Sequence, residues 1–243
     1  MARASLEFHP ATPGRWRDIE ELFGPRGACA GCWCMWARLP SAEFRAGAGA
    51  RNKRALRRVV GSGEPPGILA YVDGKPAGWC ALGPRPLYRR LEKSRILAPV
   101  DDRPVWSVVC FFVARPHRGQ GLSARLLREA VRHAASRGAT MVEGYPTDSK
   151  ARTADAFVWT GVASAFERAG FREVERRSPT RPIMRRAIRG ARGAARATGG
   201  RTATSGVGTH LRKPQGAAGR RGASRAASSG GLARRSAGTG DRG

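Results

Sequence analysis

The chain has 243 residues, of which 45 are lysine or arginine and 18 are acidic, so its formal net charge is +27. No apolar run is long enough to span a membrane, and the first residues lack the apolar core of a signal peptide, so we expect a cytoplasmic protein. The five cysteines, an odd number, do not suggest a secreted disulfide framework.

The composition changes near residue 187. From there to the last residue the chain is nearly all Ala, Arg, Gly, Ser and Thr, with eleven arginines, one lysine and one acidic residue, and no aromatic side chain. Such a segment buries too little apolar surface to offset the entropy of ordering it. The sequence therefore predicts a folded domain over residues 1–186 and a disordered basic tail over residues 187–243.

Three interpretations of the tail remain open. It can bind nucleic acid nonspecifically by neutralising phosphates, it can be a solvated appendage without a task, or it can be a by-product of translating GC-rich DNA. No aromatic residue is interleaved to stack on bases, as single-strand binders usually require.

The sequence of the first half of the chain predicts several short strands and helices. The residues between the strands at 67–72 and 76–82 are Asp73-Gly74, a strong signal for a hairpin. The other predicted elements are a strand at 6–8, a helix from about 12 to 23, a loop at 24–40, a helix from 41 to about 60 and a short helix at 87–95.

The second half contains the clearest pattern. Residues 105–113 are apolar almost throughout, as expected of a central strand, and residues 122–137 carry apolar side chains at helical spacing. The remaining predicted elements are a strand at 140–145, a helix at 162–169 that ends at Gly170, and two strands at 171–177 and 182–186.

A basic glycine loop joins the central strand to its helix, with the sequence Arg118-Gly119-Gln120-Gly121-Leu122-Ser123. Glycines let backbone N–H groups turn inward, and a helix start adds the positive end of its dipole. The loop therefore predicts a phosphate or pyrophosphate site, with an ordinary tight turn that binds nothing as the alternative. A Walker loop and a Rossmann fingerprint are excluded by their missing residues.

The spacing Arg118-x-x-Gly121 at the start of a helix resembles the acetyl-coenzyme A loop of the GNAT N-acetyltransferase superfamily. Ser123 takes that pattern's last small position, and Phe166 followed by Gly170-Phe171 resembles the family's closing signature. The order of predicted elements over residues 5–186 is also similar. The resemblance implies an α/β fold: a GNAT-like mixed, mainly antiparallel sheet of six to seven strands, flanked by about four helices.

The same resemblance implies an enzyme that transfers an acetyl group from acetyl-coenzyme A to a primary amine by direct attack, with no metal. Backbone N–H groups near Phe112 and Val113 are then expected to meet the developing oxyanion. The residues expected to hold the coenzyme are Phe112, Val113, Arg118, Gly119, Gln120, Gly121, Leu122 and Ser123.

Such a reaction needs a base for the ammonium proton, and Glu143 is our candidate, directly or through a water. Its alternative is a surface-facing strand residue. The family's tyrosine acid is replaced here by Phe166, and its pantetheine-contacting asparagine by Trp159. We therefore consider Tyr145 as the acid, or a core tyrosine if that interpretation fails.

Two further residues are weaker candidates. Cys110 is a second candidate acid, although an inert thiol within the strand is the simpler interpretation. His117 precedes the glycine loop, where it could contact a phosphate or remain a loop histidine without a specific task.

The cysteine cluster Cys29-Ala-Gly-Cys32-Trp-Cys34-Met is the least explained feature. Cys-x-x-Cys can bind zinc, but a closed site needs four ligands and no second pair follows at finger spacing. We favour an apolar wall that lines the acceptor pocket. The Gly-Cys-Trp-Cys-Met run is similar to a subgroup of uncharacterised bacterial GNAT proteins.

Two other function classes remain open at this point. One is a GNAT-fold module that binds coenzyme A without turnover, and the other is a basic protein associated with nucleic acid. The expected partners are a small-molecule or protein amine and, through the tail, nonspecific nucleic acid, but no membrane.

Overall fold

The computed structural model describes residues 4–148 and 159–188. A single sheet of seven strands runs through this part of the chain, in the order β1-β2-β3-β4-β5-β7-β6. The strands are β1 (Leu6–Pro10), β2 (Gly67–Val72), β3 (Lys75–Pro84), β4 (Trp106–Val113), β5 (Met141–Gly144), β6 (Arg172–Glu175) and β7 (Ile183–Ala187). The mixed, mainly antiparallel fold that the sequence predicts is confirmed.

All neighbouring strands pair antiparallel except β4 and β5, which run parallel. The parallel register covers only residues 106–108 of β4, opposite residues 142–144 of β5. Beyond this point β4 continues for five residues beside β3. A gap therefore opens in the middle of the sheet next to the second half of β4.

Six α-helices are present in the described residues, where the sequence predicts about four. They are α1 (Trp16–Phe23), α2 (Ser41–Ala46), α3 (Ala50–Gly61), α4 (Arg89–Glu92), α5 (Leu122–Ser136) and α6 (Ala163–Arg168). One difference is that the helix expected from 41 to 60 is two helices. Gly49 between them has a φ of 84°, which an α-helix cannot accommodate.

The sheet separates two apolar cores. One face is covered by α1, α3 and the loop between α1 and α2, and its core includes Phe23, Trp33, Leu56 and Trp79. The other face is covered by α5 and α6, with side chains such as Leu126 at its centre. Since both faces are covered, β4 reads as an almost continuous apolar run in the sequence.

Two local features follow the sequence closely. The predicted Asp73-Gly74 hairpin is formed, with φ of 48° and 74° at the two turn residues. The folded region also continues slightly past residue 186, since Ala187 pairs with Met141 in the sheet. Residues 189–243 of the predicted tail lie outside the described residues. Within those residues, no helix is both long and apolar enough to cross a membrane.

Candidate functional site

A cleft of about 560 Å³ opens where β4 and β5 diverge. The end of β4, the glycine loop and the first turns of α5 and α6 form most of its wall. Its lining residues are Ala28, Cys29, Phe111, Phe112, Val113, His117, Arg118, Gly119, Gly121, Leu122, Ser123, Trp159, Gly161, Val162, Ala165 and Arg168. The structure therefore brings together seven of the eight residues that the sequence proposes for coenzyme binding.

The glycine loop presents backbone groups to this cleft. Gly119 and Gly121 have φ of 73° and 77°, and a Cβ at either position would meet no atom within 4 Å. Gly121 is the N-cap of α5, and neither a side-chain cap nor an acidic residue occupies the first turn of that helix. The first N–H groups of a helix lack intrahelical acceptors, so this end can bind an anion.

The loop is also held in place by its own side chains. The Arg118 Nε donates to the Val113 carbonyl at 2.9 Å, which ties the loop to the last residue of β4. Gln120 is the one predicted coenzyme residue that is absent from the lining. Its Nε2 donates instead to the Pro116 carbonyl at 2.8 Å, so the side chain stabilises the turn.

The charge of the lining is positive. Arg118 and Arg168 contribute to it, whereas no aspartate or glutamate is present among the described lining residues. Positive side chains around a concave surface raise the local concentration of anionic ligands. The cleft is thus suited to a phosphate-bearing molecule with an apolar portion, because Phe111, Phe112 and other apolar residues line the remainder.

The free edge of β4 determines which backbone N–H groups the cleft can use. The Ala114 N–H donates to the Ala77 carbonyl next to β3, so alternation directs the Phe112 N–H to β3 as well. The backbone N–H groups of Phe111 and Val113 therefore point away from β3 and toward the cleft. The Phe111 N–H already donates to the Trp159 carbonyl at 2.6 Å. Of the two residues proposed as oxyanion donors, Val113 therefore has the suitable orientation.

Glu143 does not line this cleft. Its side chain is fully buried, and one carboxylate oxygen lies 3.0 Å from Arg85 Nη1 while the other lies 2.7 Å from Arg185 Nε. Arg185 also pairs with Asp101 at 2.7 Å. A carboxylate that is enclosed by two guanidinium groups is not positioned to take a proton from a substrate in the cleft. The geometry thus does not support the base role proposed from the sequence, nor the alternative of a surface-facing residue.

The Tyr145 hydroxyl belongs to the same buried network. It donates to Glu143 Oε1 at 2.6 Å, accepts from Arg85 Nη1 at 2.7 Å and lies 2.8 Å from Ser107 Oγ. Burial, followed by the neighbouring Glu143 charge, raises the pKa of Tyr145 well above its ordinary value. Because the hydroxyl points into the network, the structure does not bring it to the cleft. The geometry supports the alternative interpretation, a core tyrosine.

Phe166 is fully buried on the α5 side of the sheet. The edge of its ring lies against two glycines: a Cβ on Gly144 would come within 2.1 Å of the ring, and one on Gly161 within 3.0 Å. Phe111 and Phe171 contact the same ring edge-on. Phe166 therefore packs in the core where β5 diverges from β4, and its side chain does not line the cleft.

The cysteine cluster divides among three environments. Cys29 is exposed and lines the cleft, Cys32 is half-buried, and Cys34 is buried in the core. No three His, Cys, Asp or Glu side chains of the described chain converge as a metal site. Cys34 thus contributes to the apolar core, and Cys29 is the cysteine of the cluster that reaches the cleft.

The buried Cys34 and the half-buried Cys110 form a thiol pair. A hydrogen bond from the Cys110 thiol lowers the pKa of Cys34, and Trp79 Nε1, 3.1 Å from the Cys34 sulfur, acts in the same direction. The same bond raises the pKa of Cys110 well above its ordinary value. Since Cys110 is absent from the cleft lining, the geometry supports the inert thiol rather than the candidate acid.

Several lining residues were not identified from the sequence as binding residues. Trp159 lies at the mouth of the cleft, where its ring contacts Trp36 with a centroid separation of 4.5 Å. Arg168 adds a positive charge from α6. A usable signal existed for Arg168, because it lies two residues before the Gly170-Phe171 signature. The signal for Trp159 was its position in the family resemblance, where other members carry the asparagine that contacts pantetheine.

The sequence matches the model of a family described as "Acetyltransferase (GNAT) family" over residues 33–156. Comparison with curated proteins gives no match.

Solved structures with a similar fold share little sequence with this chain. A PaiA N-acetyltransferase from Thermoplasma acidophilum in complex with coenzyme A is 13% identical, with a TM-score of 0.44, and the match covers 76% of this chain and 99% of that one. A GNAT-family acetyltransferase from Streptococcus pneumoniae is 14% identical, with a TM-score of 0.46 and coverages of 76% and 99%. A ribosomal-protein-S5-alanine acetyltransferase from Vibrio fischeri is 10% identical, with a TM-score of 0.44 and coverages of 77% and 95%.

Proposed function

Because this chain belongs to the GNAT acetyltransferase family, we propose that it transfers an acetyl group from acetyl-coenzyme A to a primary amine by direct attack. The observation that carries the proposal is the cleft between β4 and α6, with the glycine loop at one end and a free strand edge along its wall. The uncapped start of α5, the positive lining and the apolar residues beside β4 fit the phosphates and the pantetheine arm of that molecule.

Each part of the cleft has a role in this proposal. The backbone N–H groups at Gly121, Leu122 and Ser123 bind the pyrophosphate, and Arg118 and Arg168 add charge. The bound coenzyme supplies an activated thioester carbonyl. The Val113 N–H, which faces the cleft edge, donates to the oxygen on which charge develops. A preorganised donor of this kind contributes on the order of 3 kcal/mol to lowering the barrier.

The acceptor amine approaches from the side of the loop between α1 and α2. Cys29 lines the cleft there, and the Trp36–Trp159 aromatic pair stands beside it. Holding the amine against the thioester in the correct orientation is itself a large part of the catalysis. The acceptor is a small molecule or a protein amine.

One observation favours a second candidate, a module that binds coenzyme A without turnover. The described lining of the cleft contains no carboxylate or tyrosine, since Glu143 and Tyr145 are buried elsewhere and Phe166 stands at the family's tyrosine position. The described lining contains a histidine, His117, and a cysteine, Cys29. A protein with this fold can keep its ligand-binding site after its catalytic residues have been replaced.

The first experiment is calorimetric titration of the full chain with acetyl-coenzyme A and with coenzyme A. Micromolar binding of both supports the family function, and no binding by the folded chain contradicts it. Chromatographic quantification of released coenzyme A with a panel of primary amines then separates the two candidates. Amine-dependent release supports the transferase, whereas tight binding without release supports the module.

We place the activity in the cytoplasm and in a catalytic domain over residues 1–186. The basic segment over residues 187–243 adds nonspecific affinity for nucleic acid under this proposal. Removal of that segment would leave coenzyme A binding intact and would reduce both DNA affinity and its dependence on salt.

A further inference from the structure

A second cavity, of about 450 Å³, lies on the opposite side of β3 from α5 and shares no lining residue with the cleft. We call it the α3 pocket; α3, the loop before α2 and the end of β3 form its walls. Most of its lining is apolar, with Met35, Val59, Pro66 and Leu87 among the contributors. A concave, mainly apolar cavity of this size with a few polar groups is typical of a small-molecule site.

The α3 pocket is remote from the acyl-transfer cleft. Its wall residue Gly83 pairs with Ser107 on β4, whereas the cleft begins at Phe111 of the same strand. Four residues of strand separate these positions, which corresponds to about 13 Å. A ligand in this pocket would therefore not touch the bound coenzyme.

Positive charge in the α3 pocket is not neutralised by the protein. Arg38 and Arg58 line it, and within the described chain neither guanidinium lies within ion-pair distance of a carboxylate. The acidic lining residue, Glu64, lies 4.0 Å from Arg137 instead. The pocket is consequently suited to a negative group on an otherwise apolar molecule.

A buried hydroxyl stands beside one of these arginines. Tyr88 is fully buried, and its Oη has no hydrogen-bond partner among the described residues. A Cβ on Gly83 would lie 3.3 Å from this oxygen, 3.6 Å from Arg38 Nη2 and 3.3 Å from Leu87 Cδ1. The Tyr88 hydroxyl and Arg38 Nη2 therefore both lie close to Gly83; Gly83 and Arg38 line the pocket, and Tyr88 lies behind its wall.

The Tyr88 hydroxyl keeps its proton at neutral pH. Burial raises the pKa of Tyr88 above its ordinary value, so the phenol remains an O–H donor. The Arg38 guanidinium lies over the Tyr88 ring, 4.9 Å from its centroid. An unpaired buried hydroxyl is uncommon in folded proteins and requires an acceptor to satisfy it.

We propose that the α3 pocket binds a small monocarboxylate with an unbranched apolar body. The carboxylate accepts from the Arg38 guanidinium and from the Tyr88 hydroxyl, and the apolar body packs against Val59, Met35 and Leu87. A polyanion would leave charges against the apolar wall, and a cation would be repelled by the two arginines. A single carboxylate on an apolar chain is the ligand class that satisfies both features.

The test uses the full chain and octanoate as the probe, with octan-1-ol as the uncharged counterpart. Calorimetry is expected to show saturable octanoate binding and at least about tenfold weaker binding of the alcohol, because charge-assisted hydrogen bonds are lost. Saturating acetyl-coenzyme A is expected to leave the octanoate affinity unchanged. No saturable octanoate binding, equal affinity for the alcohol, or competition with acetyl-coenzyme A would each overturn the proposal.

Variants locate the site. Tyr88→Phe keeps the buried ring and removes the hydroxyl, and Arg38→Gln removes the charge, so each is expected to weaken octanoate binding severalfold. Gly83→Ala places a methyl group between these donors and is expected to weaken it further. If octanoate affinity is unchanged in both Tyr88→Phe and Arg38→Gln, the pocket is not the site.

A matched pair on α3 controls for nonspecific attraction to a basic protein. Arg58 lines the pocket, and Arg54 is exposed one turn earlier on the same helix and does not. Arg58→Gln is expected to weaken octanoate binding, whereas Arg54→Gln leaves it unchanged. Equal loss in both variants would show that net charge alone attracts octanoate and would overturn the proposal. Thermal melting of each variant verifies that it is folded.

Discussion

Arg185 Nε donates to Oε2 of Glu143 at 2.7 Å, from the position directly opposite on the neighbouring strand. The second oxygen of the same carboxylate is bound by Arg85, which is also buried. A fully buried carboxylate therefore joins two guanidinium groups, each of which has a second, more exposed carboxylate partner: Asp101 for Arg185 and Glu92 for Arg85. Its arrangement is that of a residue that stabilises the sheet beside the cleft.

The first prediction is that Glu143→Gln destabilises the protein. The substitution removes the buried charge that the two guanidinium groups share and leaves them only Asp101 and Glu92. Breaking a buried pair costs about 3–5 kcal/mol of unfolding free energy, and we expect a loss at the lower end of that range. Urea denaturation measures the loss. Glu173→Gln is the control, because its pair with Arg176 is solvent-exposed and contributes little.

Acetyl transfer by the same variant tests the role of Glu143 in chemistry. Per folded molecule, the rate with a reactive amine is expected to stay close to wild type, since the side chain lies outside the cleft. A stable Glu143→Gln protein that binds acetyl-coenzyme A but transfers nothing would contradict this expectation and would restore the role of base.

A second prediction concerns the start of α5. Gly121→Asp places a negative side chain where the loop presents N–H groups, so acetyl-coenzyme A affinity is expected to fall at least about 100-fold. Gly138→Asp is the matched control at the other end of the same helix. Both glycines have a φ near 80° and open space around a Cβ, so the backbone strain is similar.

Calorimetry and thermal melting of this pair separate binding from folding. Similar melting temperatures with binding lost only in Gly121→Asp would support the loop as the anion site. Unchanged affinity in Gly121→Asp would mean that the loop is only a turn.

Cys29 provides a third prediction, based on chemical protection. It is the exposed cysteine among the five and lines the cleft, so iodoacetamide is expected to alkylate it faster than the buried Cys34 and Cys80. Saturating acetyl-coenzyme A, whose sulfur is already capped, should slow labelling of Cys29. Mass spectrometry of the alkylated peptides measures both rates. Labelling that is indifferent to the coenzyme would place Cys29 outside the occupied cleft.

The fourth prediction is a pH dependence of stability from His133. Burial, followed by the charge of Arg137, lowers the pKa of His133 in the folded state below its ordinary value of 6.5. The unfolded state therefore binds more protons near that pH, so stability is present above about pH 6.5 and is lost as the pH falls. No hydrogen bond at Nε2 offsets this effect, because that atom is buried without a partner in the described structure.

Thermal melting of wild type and His133→Gln between about pH 7.5 and 5.5 measures this contribution. The wild-type melting temperature is expected to fall more steeply than that of the variant. Carboxylates with a lowered pKa, such as Glu20, lose their stabilising contribution only below their ordinary value of 4.5, outside this pH range. Parallel slopes in the two proteins would show that His133 does not titrate with folding.

Local patterns were sufficient for much of the fold and for the loop. The apolar run of β4, the glycines after it and the helical spacing of α5 depend on residues close in sequence, and the sequence predicted all three. The single helix expected from 41 to 60 was wrong at one point. Gly49 interrupts it with a positive φ that the spacing of apolar residues did not reveal.

The sequence by itself determined the glycine loop, the central strand and the order of elements, because φ preferences and apolar periodicity act within a few residues. Only the tertiary structure decided that the side chains of Glu143 and Tyr145 lie in a buried network outside the cleft. Strand alternation leaves two possible faces for Glu143, and Arg85 lies 58 residues away from it along the chain. Whether such a carboxylate meets a substrate or two buried arginines depends on long-range packing, which a linear pattern of side chains does not encode.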